Sequence, residues 1–325
     1  MNPDDTNGSN DTSAMFVTLT AYVFFGVVTI FVNILIFVVV FSDQKLREKS
    51  ALMIGVAGSN FLYGLSIGSV AIFRLVNRGK LGQRVSAWTC VQIVFPLFMP
   101  LAYQILSVML CAVGIDRLLA TAAPNWYFKN WTTQRSWLTV IVSYIVAILP
   151  LSWGLVEAWN MPKLVQLSCP LPDVFGSNFV TWFFGIAVAG GTMAVVLTLT
   201  AYYSSMKRIS RLSLLNGELG RLRRQLQLTR AMFTISSMDF VLVVIPTAVA
   251  CYANATKIVH PETVQSVCNI IYCINASAAI VPHLILNSKF REVTIKLFRL
   301  HRCKTNSVAP APQNGIRVAA TVIGS

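Results

Sequence analysis

An acid and a guanidinium stand side by side at Asp116-Arg117, where a long uncharged apolar stretch ends. Residues 109–127 read MLCAVGIDRLLATAAPNWY, so Pro124 and Tyr127 follow shortly after the pair. Charges at the exit of a hydrophobic helix are costly unless each is held by the other or by water. The rest of the chain can be read as the bundle that positions this pair. The plainer alternative is that Arg117 is an anchor reaching to the membrane interface. No nucleophile–base pair and no metal-ligand cluster accompanies it, and His260, His283 and His301 are scattered. An enzyme is not expected, nor a metal, nor a cofactor.

The chain around this pair has 325 residues, of which 55% are hydrophobic and only 12% charged. Soluble domains carry about a quarter charged residues, so that class is excluded. Seven apolar runs, 15–41, 51–73, 87–115, 136–156, 177–205, 231–253 and 263–287, are each near the roughly 20 residues that cross a hydrocarbon core. They do not alternate as β-barrel strands do. No basic segment precedes the first run, so no cleaved signal is expected. The predicted fold is an all-α membrane protein, a seven-transmembrane helix bundle with an amphipathic helix after the seventh span. Its parts are an extracellular tail (1–14), the bundle (15–287), a membrane-surface helix (288–302) and a disordered cytoplasmic tail (303–325).

The net charge of +14 gathers in the loops after the first, third and fifth runs and in the tail. The positive-inside rule makes these sides cytoplasmic. The amino end, with Asp4, Asp5 and Asp11, then lies outside. Arg74, Arg78, Lys80 and Arg84 run against the rule, because their loop is external. Basic surfaces of this kind read as membrane and partner electrostatics, with no nucleic acid implied. With this topology Asn7 and Asn10 are glycosylation acceptors on the outer tail. Cys90 and Cys169 both face the oxidising side, where a disulfide is expected against the alternative of two free thiols.

Polar residues inside the runs are few. Asn33, Asn60 and Asn275 are either packing contacts between helices or parts of a polar network joining helices one, two and seven. Asp239 is the only charge well inside any run, either a functional acid or a protonated one bonded to a neighbour. Pro96 and Pro100 should bend the third helix, and Pro246 the sixth. Leucines spaced three and four apart between 206 and 230 predict helices five and six prolonged into the cytosol, broken at Gly217 and Gly220. In the segment 288–300, Phe290, Val293, Leu297 and Phe298 fall on one face of a helix lying on the inner leaflet. Cys303 beyond it is a possible palmitoylation site.

Seven spans with Asp-Arg at the inner end of the third resemble the rhodopsin-like G-protein-coupled receptors. The stretch GIDRLLATAAPNWY, residues 114–127, is most similar to the nematode serpentine chemoreceptors of class sx. The resemblance covers nearly the whole chain. It implies an extracellular small-molecule or peptide ligand, a heterotrimeric G protein inside, and membrane lipids around the bundle. It also implies plasma-membrane placement, with a sensory cilium as its specialised form, and supports the Cys90–Cys169 bridge. By the family pattern Asp116, Arg117 and Tyr127 form the coupling switch, and Phe240 and Pro246 the helix-six pivot. The mechanism it implies frees Arg117 from Asp116 when helix six swings outward. The chain departs from the pattern at Asn60, where an acid is usual, at Val244 in place of Trp, and at Val281-Pro282-His283 in helix seven. Met99, Tyr103 and Trp182 are expected to line the ligand pocket. The outer bases are either attractants for an acidic ligand or solvated loop charges. A neuropeptide receptor is the alternative within the family. A transporter or channel is the alternative outside it, disfavoured by the absence of a repeat or of intramembrane charge pairs.

Overall fold

A computed structural model describes residues 5–93, 95–161, 164–212, 219–256 and 261–305. Seven of its helices are long and apolar enough to cross a membrane: Met15–Phe41, Ala51–Val76, Leu97–Ala122, Thr133–Asn160, Ser177–Arg208, Met232–Thr256 and Val264–Leu286. The protein is an all-α seven-helix bundle. In a bilayer every backbone polar group must be satisfied within its own segment, which is why the runs fold as helices.

The first span belongs to α1 (Asp5–Phe41), and a short α2 (Gln44–Lys49) leads into α3 (Ala51–Val76). The third span is the body of α5 (Phe95–Ala122), and the fourth is α7 (Thr133–Asn160). The fifth is α9 (Ser177–Leu212). The sixth runs from α10 (Leu219–Asp239) through a π-turn at Phe240–Val244 into α11 (Ile245–Thr256). The seventh combines α12 (Pro261–Ala278) and α13 (Ile280–Leu286). Each span packs on its neighbours, and α12 returns to α1 to close the ring. The third span is the most buried of the seven. The helix carrying Asp116-Arg117 is thus the central rod.

Without water inside the bilayer, helices associate by close packing, and small residues permit the closest approach. α1 and α3 meet at Gly26, Gly64 and Gly68. A Cβ at Gly64 would lie 3.0 Å from the Gly26 carbonyl oxygen and 3.0 Å from the Thr29 Cβ.

Several expectations need correction. The run 87–115 is not one helix: α4 (Ala87–Gln92) is separate from α5. Cys90 therefore sits on its own short helix, which absorbs the long spacing between Cys90 and Arg117. The segment set apart as a tail before the first span, residues 1–14, is continuous with α1 from Asp5 onward. The sixth helix departs from α geometry ahead of Pro246. Pro246 has no N–H, and its ring crowds the carbonyl four residues earlier. The chain widens to meet this, and the Ile245 N–H donates to the Phe240 carbonyl, five residues back. Gly220 lies inside α10 instead of breaking it, whereas Gly217 and Leu215 lie outside the described residues.

The outer loops add a small sheet that the apolar pattern did not announce. β1 (Arg84–Ser86) pairs antiparallel with β2 (Leu164–Gln166), with Val85 opposite Val165. The Cys90–Cys169 disulfide lies beside this ribbon and is formed as expected. On the inner side α14 (Ser288–Thr305) starts with the Asn287 side chain accepting from the Phe290 N–H at 3.1 Å. Phe290 and Val293 bury against Ile36, Val39 and Leu46, while Phe298 is exposed. Lys289 reaches Asp43 at 3.2 Å. A backbone N–H from Leu46, then the ammonium of Lys289, hold the Asp43 carboxyl below its ordinary range.

Gly64→Val should lower the melting temperature of the detergent-solubilised protein by several degrees, because over-packing typically costs about 1–3 kcal/mol. Gly82→Ala, in open space, should leave it unchanged. Equal melting of both variants would show that the α1–α3 approach is not tight.

Candidate functional site

Asp116 is buried on α5, 1% exposed, one turn and a half before that helix ends. Its carboxylate is gripped from two sides. The Arg117 guanidinium donates from Nε to Oδ2 at 2.8 Å and also from Nη2 to the same oxygen. The Tyr127 hydroxyl donates to Oδ1 at 2.8 Å. Among the described residues Asp116 is the only acid that pairs with Arg117. A buried charge pair needs such additional bonds to offset the loss of water.

Tyr127 reaches back because the chain turns sharply after α5. Pro124 starts α6 (Pro124–Asn130), where its missing N–H costs nothing. The Tyr127 ring stacks on Trp131, with centroids 5.7 Å apart and planes at 17°. Burial, and next the negative charge of Asp116, push the Tyr127 phenol well above its ordinary range, so it stays a donor. Arg208 on α9 reaches the Thr121 carbonyl at 3.4 Å and ties the fifth span to the inner end of the third. Neither Trp131 nor Arg208 was singled out from sequence. The aromatic one turn after Tyr127 was the available signal for the stack.

The expected polar network divides into separate links. Asn33 donates to the Thr29 carbonyl at 2.8 Å and the Ala276 carbonyl at 3.4 Å, and Thr29 meets Ser277 at 3.0 Å. This joins spans one and seven. Asn275 donates to Asp239 Oδ1 at 2.5 Å and joins spans seven and six. Asn60 is not the link from helix two. Tyr63 takes that part, its hydroxyl donating to Asn269 Oδ1 at 3.1 Å. Phe240 is half-buried at the start of the π-turn, one residue after Asp239.

The outer half is filled by aromatics. Tyr63, Tyr103 and Tyr272 pack as a triangle with centroid distances of 5.4, 3.8 and 4.6 Å. Met99 and Tyr103 are both buried there, but Trp182 is 65% exposed on the outside of the bundle. Trp182 is thus corrected from a pocket residue to a surface one. Tyr103 borders a cavity of about 10 Å³ between spans three, five and six, room for roughly one water. Arg74 is not a free outer base: Nε and Nη2 both donate to the Ser168 carbonyl, at 3.0 and 2.6 Å. Arg78, Lys80 and Arg84 are exposed. The sequon asparagines Asn7 and Asn10 lie on the first turns of α1, and Cys303 lies on the last turn of α14.

A scan against known protein families finds no match, and no curated protein matches the chain. The seven apolar spans and the outer disulfide fit a multi-pass membrane receptor.

Arg74→Gln should free the loop bearing Cys169. Hydrogen bonds from charged groups contribute about 1.5–3 kcal/mol, so amide exchange at Leu167 and Cys169 should speed up roughly tenfold or more. Arg78→Gln should not change it. Unaltered exchange in the first variant would show that the disulfide and ribbon hold the loop alone.

Proposed function

We propose that this chain is a rhodopsin-like receptor that activates a heterotrimeric G protein, of the chemosensory kind that the class sx serpentine receptors represent. The single observation that carries the reading is the Asp116 carboxylate held by Arg117 and Tyr127 at the inner end of the most buried span. At rest Arg117 is neutralised by its neighbour. Opening of the sixth span at its π-turn gives the guanidinium a new environment, in which it meets the α subunit. A ligand shifts this equilibrium only by binding the open state better than the closed one.

The ligand arrives from outside as a small molecule or a peptide. Its charge class follows by exclusion. No acid lies on the outer half of the third span, so an amine fixed there by a salt bridge is disfavoured. No lysine lies in the seventh span, which disfavours a Schiff-base chromophore. The plasma membrane, with a sensory cilium as its specialised form, is the matching location. Glycans at Asn7 and Asn10 and lipid contact along α14 accompany that placement.

Membranes from cells expressing the chain with a panel of α subunits provide the test, read as nucleotide exchange with and without a panel of volatiles and peptides. Arg117→Ala should lower basal and evoked exchange at least tenfold with surface expression retained. Tyr127→Phe, which deletes one bond to Asp116, should raise basal exchange by roughly fivefold for a loss of about 1 kcal/mol. Exchange unchanged in both variants would remove the assigned role. A ligand-evoked current without any G protein would favour a channel.

A further inference from the structure

Asp239 is a buried acid that the coupling site leaves unexplained. It is 6% exposed and ends α10, directly before the π-turn. Irregular turns of this type concentrate at functional positions. Its Oδ1 accepts from Asn275, whereas Oδ2 is buried with no hydrogen-bond partner among the described residues. No salt bridge to Asp239 forms among those residues either. An isolated carboxylate inside low-dielectric surroundings is strongly disfavoured, and neutralisation is the usual remedy.

The cavity beside Asp239 distinguishes the ways of neutralising it. Its wall is mostly carbon, including Leu106, Leu110, Val243 and Val244, with hydroxyls from Tyr103, Ser107 and Thr247. A bare metal cation wants about six oxygen ligands, more than this wall supplies in a space for roughly one water. A proton needs one acceptor beyond the carboxyl. Ser107 donates its own hydrogen to the Ala187 carbonyl at 3.3 Å, so its oxygen remains an acceptor.

Among the described residues no titratable group on the surrounding elements, Cys111 on α5 and Cys268 and Cys273 on α12 included, forms a hydrogen bond or ion pair with Asp239. α5 presents Tyr103 to the cavity, and its Asp116–Arg117 pair is closed on itself. α9 contributes only Ala187 and Gly191 to the wall. α12 carries Tyr272 and α13 carries His283, and neither side chain hydrogen-bonds to Asp239 among the described residues.

We propose that Asp239 is a proton-binding site that couples the position of the sixth span to pH. In the closed bundle the carboxyl is neutral, accepts from Asn275 through Oδ1 and turns its hydroxyl into the cavity. When the sixth span swings outward, water enters, the O–H bond breaks, and the proton leaves to that water with the negative charge remaining on the carboxylate. Linkage then runs both ways: acid favours the closed bundle and base the open one. The coupling to the sixth span rests on the opening proposed above, whereas the proton binding does not, because it is measurable without a ligand or G protein.

The test is infrared spectroscopy of the full chain in lipid nanodiscs. In mildly acid buffer the wild type should show the carbonyl band of a protonated carboxylic acid, which ¹³C-aspartate should shift and rising pH should remove. Asp239→Asn should lose the band. Asp239→Glu should retain one that aspartate labelling no longer shifts, which keeps the test open if the Asn variant folds poorly. Replacing sodium by a large organic cation should change nothing. A second arm follows the distance between spin labels at Ala122→Cys and Arg230→Cys, which should lengthen with rising pH in the wild type and not in Asp239→Asn. Absence of the band, a band that responds to sodium, or an equal pH response in both proteins would overturn the proposal.

Discussion

Hydrocarbon does not solvate charge, and most of this protein's particular features follow from that constraint. Seven apolar rods can cross a bilayer with their backbones satisfied, so the fold itself is unremarkable in energetic terms. What needs provision is each polar side chain carried into the bundle. Asp116 receives three hydrogen bonds, two from Arg117 and one from Tyr127. The Asn33 side-chain amide N–H donates to the Ala276 carbonyl and that of Asn275 to Asp239, each across a helix boundary. The tertiary links among spans one, two, six and seven are the same bonds that keep those groups from being stranded.

That economy supports the switch proposed for the inner end. Arg117 and Asp116 are adjacent in sequence, so their pairing requires no other helix. The neighbouring spans contribute indirectly: Tyr127 through the turn after Pro124, and Arg208 through the Thr121 carbonyl. A displacement of the sixth span therefore need not break the resting pair by pulling on it. It changes the room available to the guanidinium. The outer half is closed by comparison, with the Tyr63–Tyr103–Tyr272 triangle filling the space between spans two, three and seven. Tyr103 belongs both to this triangle and to the wall of the cavity at Asp239.

Much of this was legible in the residues. Span number and approximate bounds follow from hydropathy, because lipid imposes a length on each helix. The Cys90–Cys169 bridge followed from topology and family pattern together. The Asp116–Arg117–Tyr127 cluster needed only short-range geometry, Pro124 returning the chain toward α5. What escaped was long-range or compensatory. The β1–β2 ribbon joins distant segments, Val85 with Val165, 80 residues apart, and short strands leave little periodic signal. Tyr63 replacing Asn60 as the second span's link was hidden because a tyrosine can serve as core or as donor. Arg74 looked like a free base until its carbonyl partner in the opposite loop was known. Trp182 was placed on the wrong side of its helix, since a span apolar all round gives no sign of which face meets lipid.

On the proposed reading Asp116 neutralises Arg117, and without that bond the guanidinium needs room that only a displaced sixth span provides. Spin labels at Ala122→Cys and Arg230→Cys report the separation of the third and sixth spans at the inner mouth of the bundle, by pulsed electron resonance in nanodiscs. With Asp116 intact the distribution should show one short distance. Asp116→Asn removes the charge while keeping the shape, and should add a second, longer population. An unchanged distribution would contradict the account, because the bundle would then stay closed without the bond on which its closing is said to depend.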